Sequence, residues 1–504
     1  MKSPRIPSMS FNLLHSKYNW GYLTTQQKNW CAGSNNRQCL LGMGKALGGS
    51  TVINGMLWVR GNPKDYDLWA QQGNPGWSYQ DVLPYFKKLE YAKVKKFSND
   101  HQGKGGKVHV ENSHFMTPAT EYVLRAAHEL GIPYINYNSG NQMGIGHAQG
   151  TLKDGSRWSS AKAYLEHSEE RRNLIIKTKS TVLKVLIDDN KRAYGVQYIR
   201  NGKLYEVHAI KDVVLSAGGM STPKLLALSG IGPEKDLKKF GIKALSNLNV
   251  GSPLLTHILF PGIRFIFNST LPPVNEKRDI LDYLTKGTGP LTAFSSDLVT
   301  FFRTEISNHE DKNYPDIELT FAPKRVRVET TSEDKLAASV SLVLLRPKSF
   351  GEVKLSSNDP LQPPLINPNY FTDDDDIDMK TLLAGVRIAQ KFANTTIFKK
   401  YGGVLDSNSV LSCKNLPFDS DQYWRCAIQQ QIICLSDPAG TAKMGPESDK
   451  DAVVDYKLRV YGIKNLRVVD NSVIPVWISG HMMAPAYMIG EKGADIIKMF
   501  WTVK

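Results

Sequence analysis

The sequence predicts an α/β (α+β) fold, and three stretches carry that expectation. Leu466-Arg467-Val468-Val469-Asp470 is a short apolar run ending in an acid, the pattern of a buried strand. After Ser479-Gly480-His481 comes a helix whose apolar face falls at Met483, Tyr487, Gly490, Ala494 and Ile497, at the 3.6-residue period. Asp212 to Ala217 is a second continuous apolar run, expected to be a strand buried on both faces. A strand ending in Asp and a helix opening just after a His is how α/β proteins present chemistry to a ligand. The helix N-terminus adds partial positive charge.

In chain order, residues 1–40 are polar, dotted with aromatics and without periodicity. Gly44-Lys45-Ala46-Leu47-Gly48-Gly49-Ser50-Thr51-Val52-Ile53-Asn54 follows; paired glycines before hydroxyls let backbone N–H groups approach a ligand, although Gly-Gly-Ser is also an ordinary turn. From Pro63 to Glu90 turns and a helix are expected, with Trp69, Trp77 and Tyr85 in the core. Ser159 to Leu165 reads as a capped helix. Val182 to Ile187, Ala193 to Ile199 and Leu204 to Ile210 read as successive antiparallel strands. The helix after Ala217 is expected to start at Thr222-Pro223, with Thr as cap, and to end at Ser229-Gly230. From about Leu255 to Gln430 strands alternate with long polar loops. Asp316 to Phe321 and Ser339 to Leu345 fall in one sheet, and the acidic run Asp373 to Asp378 is a solvated start to a helix at Met379 to Phe392.

The chain of 504 residues is long enough for two or three domains, and its 41% hydrophobic and 22% charged content is ordinary for a globular protein. No apolar run is long enough to span a membrane, and Met1 to Pro7 lacks the apolar core of a signal peptide. The net charge of +15 comes from scattered lysines beside acids, a solvated surface with no nucleic-acid recognition motif. Five cysteines have no zinc-site spacing: Cys31 and Cys39 close one loop, Cys413 and Cys426 another, and Cys434 is left over. Two disulfides fit an oxidising compartment, as do the sequons at Asn268 and Asn394; the missing leader argues against one.

The run Gly44 to Asp67 and the run Gly218 to Gly232 together resemble the two signatures of the glucose–methanol–choline (GMC) oxidoreductases, flavoenzymes that oxidise alcohols. The resemblance extends through Val250-Gly251, Arg346-Pro347-Lys348-Ser349 and Ala452 to Asp455 to the last helix, and Asp81 to Phe86 looks most like the insect glucose-dehydrogenase branch. It implies an FAD-binding Rossmann-like domain (1–70, 155–255, 455–504) and a β-sheet substrate domain (71–154, 256–454), with family halves near 1–258 and 347–492. It also implies FAD as cofactor and hydride transfer from an alcohol, sugar or steroid-like, to the flavin N5. Quinone or oxygen would be the final acceptor and secretion the expected fate. Gly48, Gly49, Ser50, Asn54, Gly55, Asp470, Met482 and Ala484 would meet the cofactor, and the backbone at Val182 the adenine. No Gly-x-Gly-x-x-Gly turn lies upstream of Gly44, so the chain reads as lacking the first βαβ unit of that domain.

Alcohol oxidation also needs a base for the hydroxyl proton, and the family carries one His before Pro-x-Gly-Thr and a His or Asn before the last helix. The second position here is His481. The first is Asp437, which leaves three readings open: a lesion in a turn, a carboxylate base, or a group that orients His481. Two further departures are Gly42-Met43-Gly44, where relatives tend to have Pro-Arg-Gly, and Thr256-His257, where an Asp-His pair is usual. The alternative function is a degenerate, cofactor-free binding protein on the same fold.

Overall fold

Capped helices set the first part of the chain. The computed structural model describes residues 3–94, 101–166, 168–328, 333–407 and 410–502; Met1 and Lys2 of the polar N-terminal stretch lie outside them. Helices α1 (Pro63–Gln71) and α2 (Tyr79–Leu89) each begin with an acid that accepts the cap residue's N–H, Asp65 from Asn62 and Asp81 from Ser78. Their Trp69 and Trp77 are fully buried as expected, and Tyr85 packs at the margin. Then come α3 (Pro118–Glu129), strand β1 (Gly144–His147) and α4 (Ser160–Leu165), where the Ser159 hydroxyl accepts the Lys162 N–H. Strands β2 (Ser180–Ile187), β3 (Ala193–Arg200) and β4 (Lys203–His208) form the expected antiparallel meander.

Strand β5 (Val213–Leu215) leads into helix α5 (Gly218–Leu228), and two expectations fail here. The strand is not buried on both faces, because Val214 is 41% exposed. Its partner is the stretch Leu466–Val468, and the side chain of Val214 stays open to solvent. Helix α5 starts four residues before Thr222, because the Asp470 carboxylate accepts the Gly218 N–H and the Thr222 hydroxyl. Pro223 therefore lies inside the helix, where its ring deprives the Gly219 carbonyl of a donor. The Thr441 hydroxyl supplies the missing donor at 2.8 Å.

The second half is built on β6 (Ile258–Thr270), α6 (Glu276–Lys286), β7 (Leu298–Phe302), β8 (Ile317–Val328) and β9 (Glu333–Leu344). Helix α7 (Ile377–Gln390), β10 (Val404–Leu405), α8 (Asp421–Gln431) and β11 (Ile433–Cys434) follow. These strands form one seven-stranded antiparallel sheet in the order β10-β6-β9-β8-β7-β1, with β11 also on β6. One face, with Phe260, Ile317, Leu319 and Leu342, packs on α3, α7 and α8 in the largest core. Val299, Phe301 and Val343 face the other way, towards Met56, Val59 and Tyr137. Strand β12 (Leu466–Val468) pairs in parallel with β5, and helix α9 (Met483–Thr502) closes the chain against α2.

The acidic run before α7 is only partly solvated. Asp378 is 1% exposed and accepts the N–H groups of Lys348 and Ser349, which fixes the turn after β9. The cysteines pair as expected, Cys31 with Cys39 and Cys413 with Cys426, while Cys434 is free and buried.

Peptide mapping without reduction should recover those two links and a Cys434 thiol that alkylates only after unfolding; other pairings would contradict the fold. Thr441→Val should cost about 1–3 kcal/mol in denaturant unfolding, because it strands the Gly219 carbonyl inside the protein; an unchanged midpoint would show that the carbonyl is satisfied otherwise.

Candidate active site

Two distant stretches meet at the start of α9. The turn Gly49–Val52 begins on Gly48 at φ 102°, where an added Cβ would sit 3.1 Å from Val52 and 3.2 Å from Ala161. Gly49, at φ 57°, faces open space. The Ser50 hydroxyl accepts the Gly44 N–H. Asn54 then reaches α9 directly, its Nδ2 2.9 Å from Met483 Sδ, while its Oδ1 accepts from Arg157 and from the Met56 N–H. The Gly55 carbonyl accepts the Ser295 hydroxyl.

Arg157 was not singled out by the sequence. It is a buried guanidinium whose hydrogen bonds go to Pro4 O, Thr51 O, Asn54 Oδ1 and Ser10 Oγ, none of them a carboxylate, and burial lowers its pKa to about 9.

The Asp470 carboxylate is committed to Gly218, Thr222 and Ser472, so it ties β12 to α5. Next to it, the Asn471 Nδ2 donates to the Met482 carbonyl, and the Asn471 Oδ1 is buried without a partner. Met482 and Ala484 are buried at the head of α9. Val182 is placed elsewhere, on β2 opposite Tyr198.

Two histidines stand near this junction, each with its own carboxylate. His257 is completely buried at the start of β6. Its Nδ1 lies 2.5 Å from Asp437 Oδ2, and its Nε2 is 3.1 Å from the Leu345 carbonyl and 3.0 Å from the Ile478 carbonyl. Both nitrogens therefore face acceptor oxygens. Asp437 Oδ1 accepts the His257 N–H and the Thr256 hydroxyl, so both its oxygens are engaged.

His481 is held differently. Ser479, two residues before it, gives its N–H and hydroxyl to the buried Asp65. Gly480 adopts φ 150° with an added Cβ only 2.3 Å from Val59, so the approach to His481 demands glycine. The His481 Nε2 lies 2.9 Å from Glu318 Oε1, and its side chain keeps 15% exposure. Glu318 lies on β8 between Phe301 of β7 and Val343 of β9, wholly buried, with Oε2 unpartnered. Burial pulls the His481 pKa down, but the charge and hydrogen bond of Glu318, with Asp437 farther off, raise it above the ordinary value.

The carboxylate on His481 is thus Glu318, while Asp437 bonds His257. Sequence reasoning passed over Glu318. The signal was present: in Asp316 to Phe321 an acid sits among apolar residues of a strand, where a charge is kept only if something pairs it. Among the described residues no cluster of three or more His, Cys, Asp or Glu is placed to hold a metal, and no helix is long and apolar enough to cross a membrane.

Family models for GMC oxidoreductases match residues 19–259 and 347–490. A glucose dehydrogenase [FAD, quinone] of Drosophila pseudoobscura pseudoobscura is 37% identical over 99% of this chain and 81% of its own length. Mitochondrial choline dehydrogenase of Homo sapiens is 34% identical over 97% of this chain and 80% of its own length. A solved formate oxidase of Aspergillus oryzae, studied for its FAD modification, superposes with a TM-score of 0.85 over 98% of this chain and 90% of its own, at 27% identity.

A histidine-selective NMR titration should place His481 above the free-imidazole pKa of about 6.5, and Glu318→Gln should move it down. Because the folded value is raised, the stability from this pair is complete below the unfolded pKa and fades as pH rises through the folded one. The loss of melting temperature in Glu318→Gln should therefore shrink from mildly acidic to alkaline pH; a constant difference would show that the pair is not the source.

Proposed function

The chain belongs to the GMC oxidoreductase family, and from that premise we propose that it oxidises the CH–OH group of a small alcohol with FAD as cofactor. A sugar or steroid-like alcohol is the substrate class, and quinone or oxygen the final acceptor. The observation that carries the proposal is the buried Glu318 on His481, a base with its own orienting carboxylate at the head of α9.

The residues present suit a flavin. Gly49 leaves its backbone open, the Asn471 Oδ1 is an orphaned buried acceptor, and the first N–H groups of the 20-residue α9 favour a negative ring oxygen. Gly48, Gly49, Ser50, Asn54, Gly55, Met482 and Ala484 would line it, with Asp470 holding α5 in place and Val182 at the adenine end. Bound there, FAD supplies the acceptor for the hydride that leaves the carbinol carbon.

The chain's own part is the proton. Glu318 accepts from Nε2, which fixes that nitrogen as the protonated one and leaves Nδ1 of neutral His481 to take the substrate's hydroxyl proton. The positive charge that forms on the ring is met by a carboxylate already 2.9 Å away. Asp437 takes no proton in this scheme. Its oxygens hold His257, whose Nε2 holds Ile478, three residues before His481. The two disulfides are compatible with an extracellular site of action.

In the flavin-loaded protein, alcohol-dependent flavin reduction followed by stopped flow should fall by about 10²–10⁴-fold in His481→Ala. Its rate should rise with pH up to the raised His481 pKa, and Glu318→Gln should shift that rise towards acid. Asp437→His should lower activity, because it removes the partner of a buried His257. A gain in Asp437→His would instead favour the lesion reading, and a measurable rate indifferent to His481→Ala would remove His481 as the base.

A further inference from the structure

A cleft of about 430 Å³ opens beside the Ser479–His481 loop and plays no part in the chemistry above. It runs between the start of α1 and the loop before β1, and a third wall comes from Asp311 and Asn313. Its volume lies within the roughly 300–1,000 Å³ of pockets that hold small ligands. We propose that it binds a neutral polyhydroxylated small molecule, of the size of a monosaccharide or cyclitol up to a disaccharide.

The lining decides the chemical class. Gln142 is 1% exposed and lines the cleft, yet its Oε1 has no partner, an acceptor withdrawn from water and waiting for a donor. Around it stand the amides of Gln71 and Asn141, the Lys64 ammonium and the Asp67 and Asp311 carboxylates. Lys64 is already 3.0 Å from Asp311, which leaves no unbalanced cation for an anionic guest. A cationic guest would meet that same ammonium. A purely apolar guest would leave the amides and carboxylates of the wall without partners. Hydroxyl groups both donate and accept, which suits a wall that mixes carboxylates, amide oxygens and amide N–H groups.

The cleft is also wired to the catalytic loop. The Gln142 Nε2 donates to the Ser479 carbonyl, so a side chain that lines the cleft grips the chain two residues from His481. Asn62, another lining residue, gives its N–H to Asp65, and Asp65 accepts the Ser479 N–H and hydroxyl. A guest that fixes Gln142 therefore stiffens the Ser479 segment. Binding is independent of the oxidoreductase reading; only a consequence of this stiffening for turnover rests on it.

Hydrogen–deuterium exchange of the full chain, with mass spectrometry of its peptides, tests the idea without any flavin chemistry. D-glucose, myo-inositol and maltose at millimolar concentration are the probes, with choline as cationic and sulfate as anionic control. The expected result is about tenfold slower exchange in peptides covering 62–71 and 140–143, with a smaller slowing at 476–482. Asn141→Trp, a substitution at an exposed position that fills the cleft, should abolish it, and so should Gln142→Leu. The proposal is overturned if no neutral probe protects the cleft peptides, if choline or sulfate protects them instead, or if protection survives Asn141→Trp. Slowing confined to 478–483 would mean binding at the catalytic site alone and would also overturn it.

Discussion

A carboxylate withdrawn from water must be met by donors, and the centre of this protein is organised by that requirement. Asp65 is the clearest case. It is fully buried, and its two oxygens accept from the N–H groups of Asn62 and Ser479 and from the hydroxyls of Ser479 and Tyr314. Burial pushes its pKa up, and the four donors pull it back only in part. Removing any donor leaves a buried charge short of a partner, which is why α1, the Ser479 loop and the segment before β8 can adopt only one mutual arrangement. Asp470 does the same for β12 and α5, and Asp437 for β6 and the loop that follows β11.

The two histidines show how environment rather than residue type assigns a role. His257 has no exposure, and acceptors occupy both of its nitrogens. A ring so enclosed has no nitrogen to offer a substrate and works as a bolt between β6 and the Ile478 carbonyl. His481 has one nitrogen engaged by Glu318 and a side chain that keeps some exposure. A carboxylate on one side and a free nitrogen on the other is the arrangement that lets an imidazole take a proton and keep the resulting charge close to its compensation.

Much of the architecture is legible in the sequence because it follows from local pattern. The meander, α4 with its Ser159 cap, the last helix and both disulfides rest on periodicity, capping residues and loop length. The errors lie where a distant group overrides a local rule. Thr222-Pro223 reads as a helix start until Asp470 and Thr441, more than 200 residues away, satisfy the groups that an internal proline leaves open. Asp378 reads as solvated until the Lys348 and Ser349 N–H groups turn it inward. The resemblance implies that Asn54 and the head of α9 share a site, and Asn54 Nδ2 lies 2.9 Å from Met483 Sδ. The partner of His481 was not legible, because no spacing connects a strand residue at 318 with a loop residue at 481.

Two departures from the family pattern, at 256 and at 437, amount to one change. The resemblance implies an acid at position 256 beside His257 and a histidine at 437. Here the acid is absent from 256, where threonine stands, and present at 437. The fold brings Thr256, His257 and Asp437 into direct contact, with the Thr256 hydroxyl and the His257 N–H both donating to Asp437 Oδ1. His257 therefore keeps a carboxylate, delivered from the neighbouring loop instead of from its own chain neighbour. A histidine at 437 would take the carboxylate away from a ring that is buried out of reach of water. Each histidine near the junction thus has its own carboxylate, His257 that of Asp437 and His481 that of Glu318. The first pair is sealed, with acceptors at both nitrogens of His257, so under the proposed function the substrate's proton falls to His481.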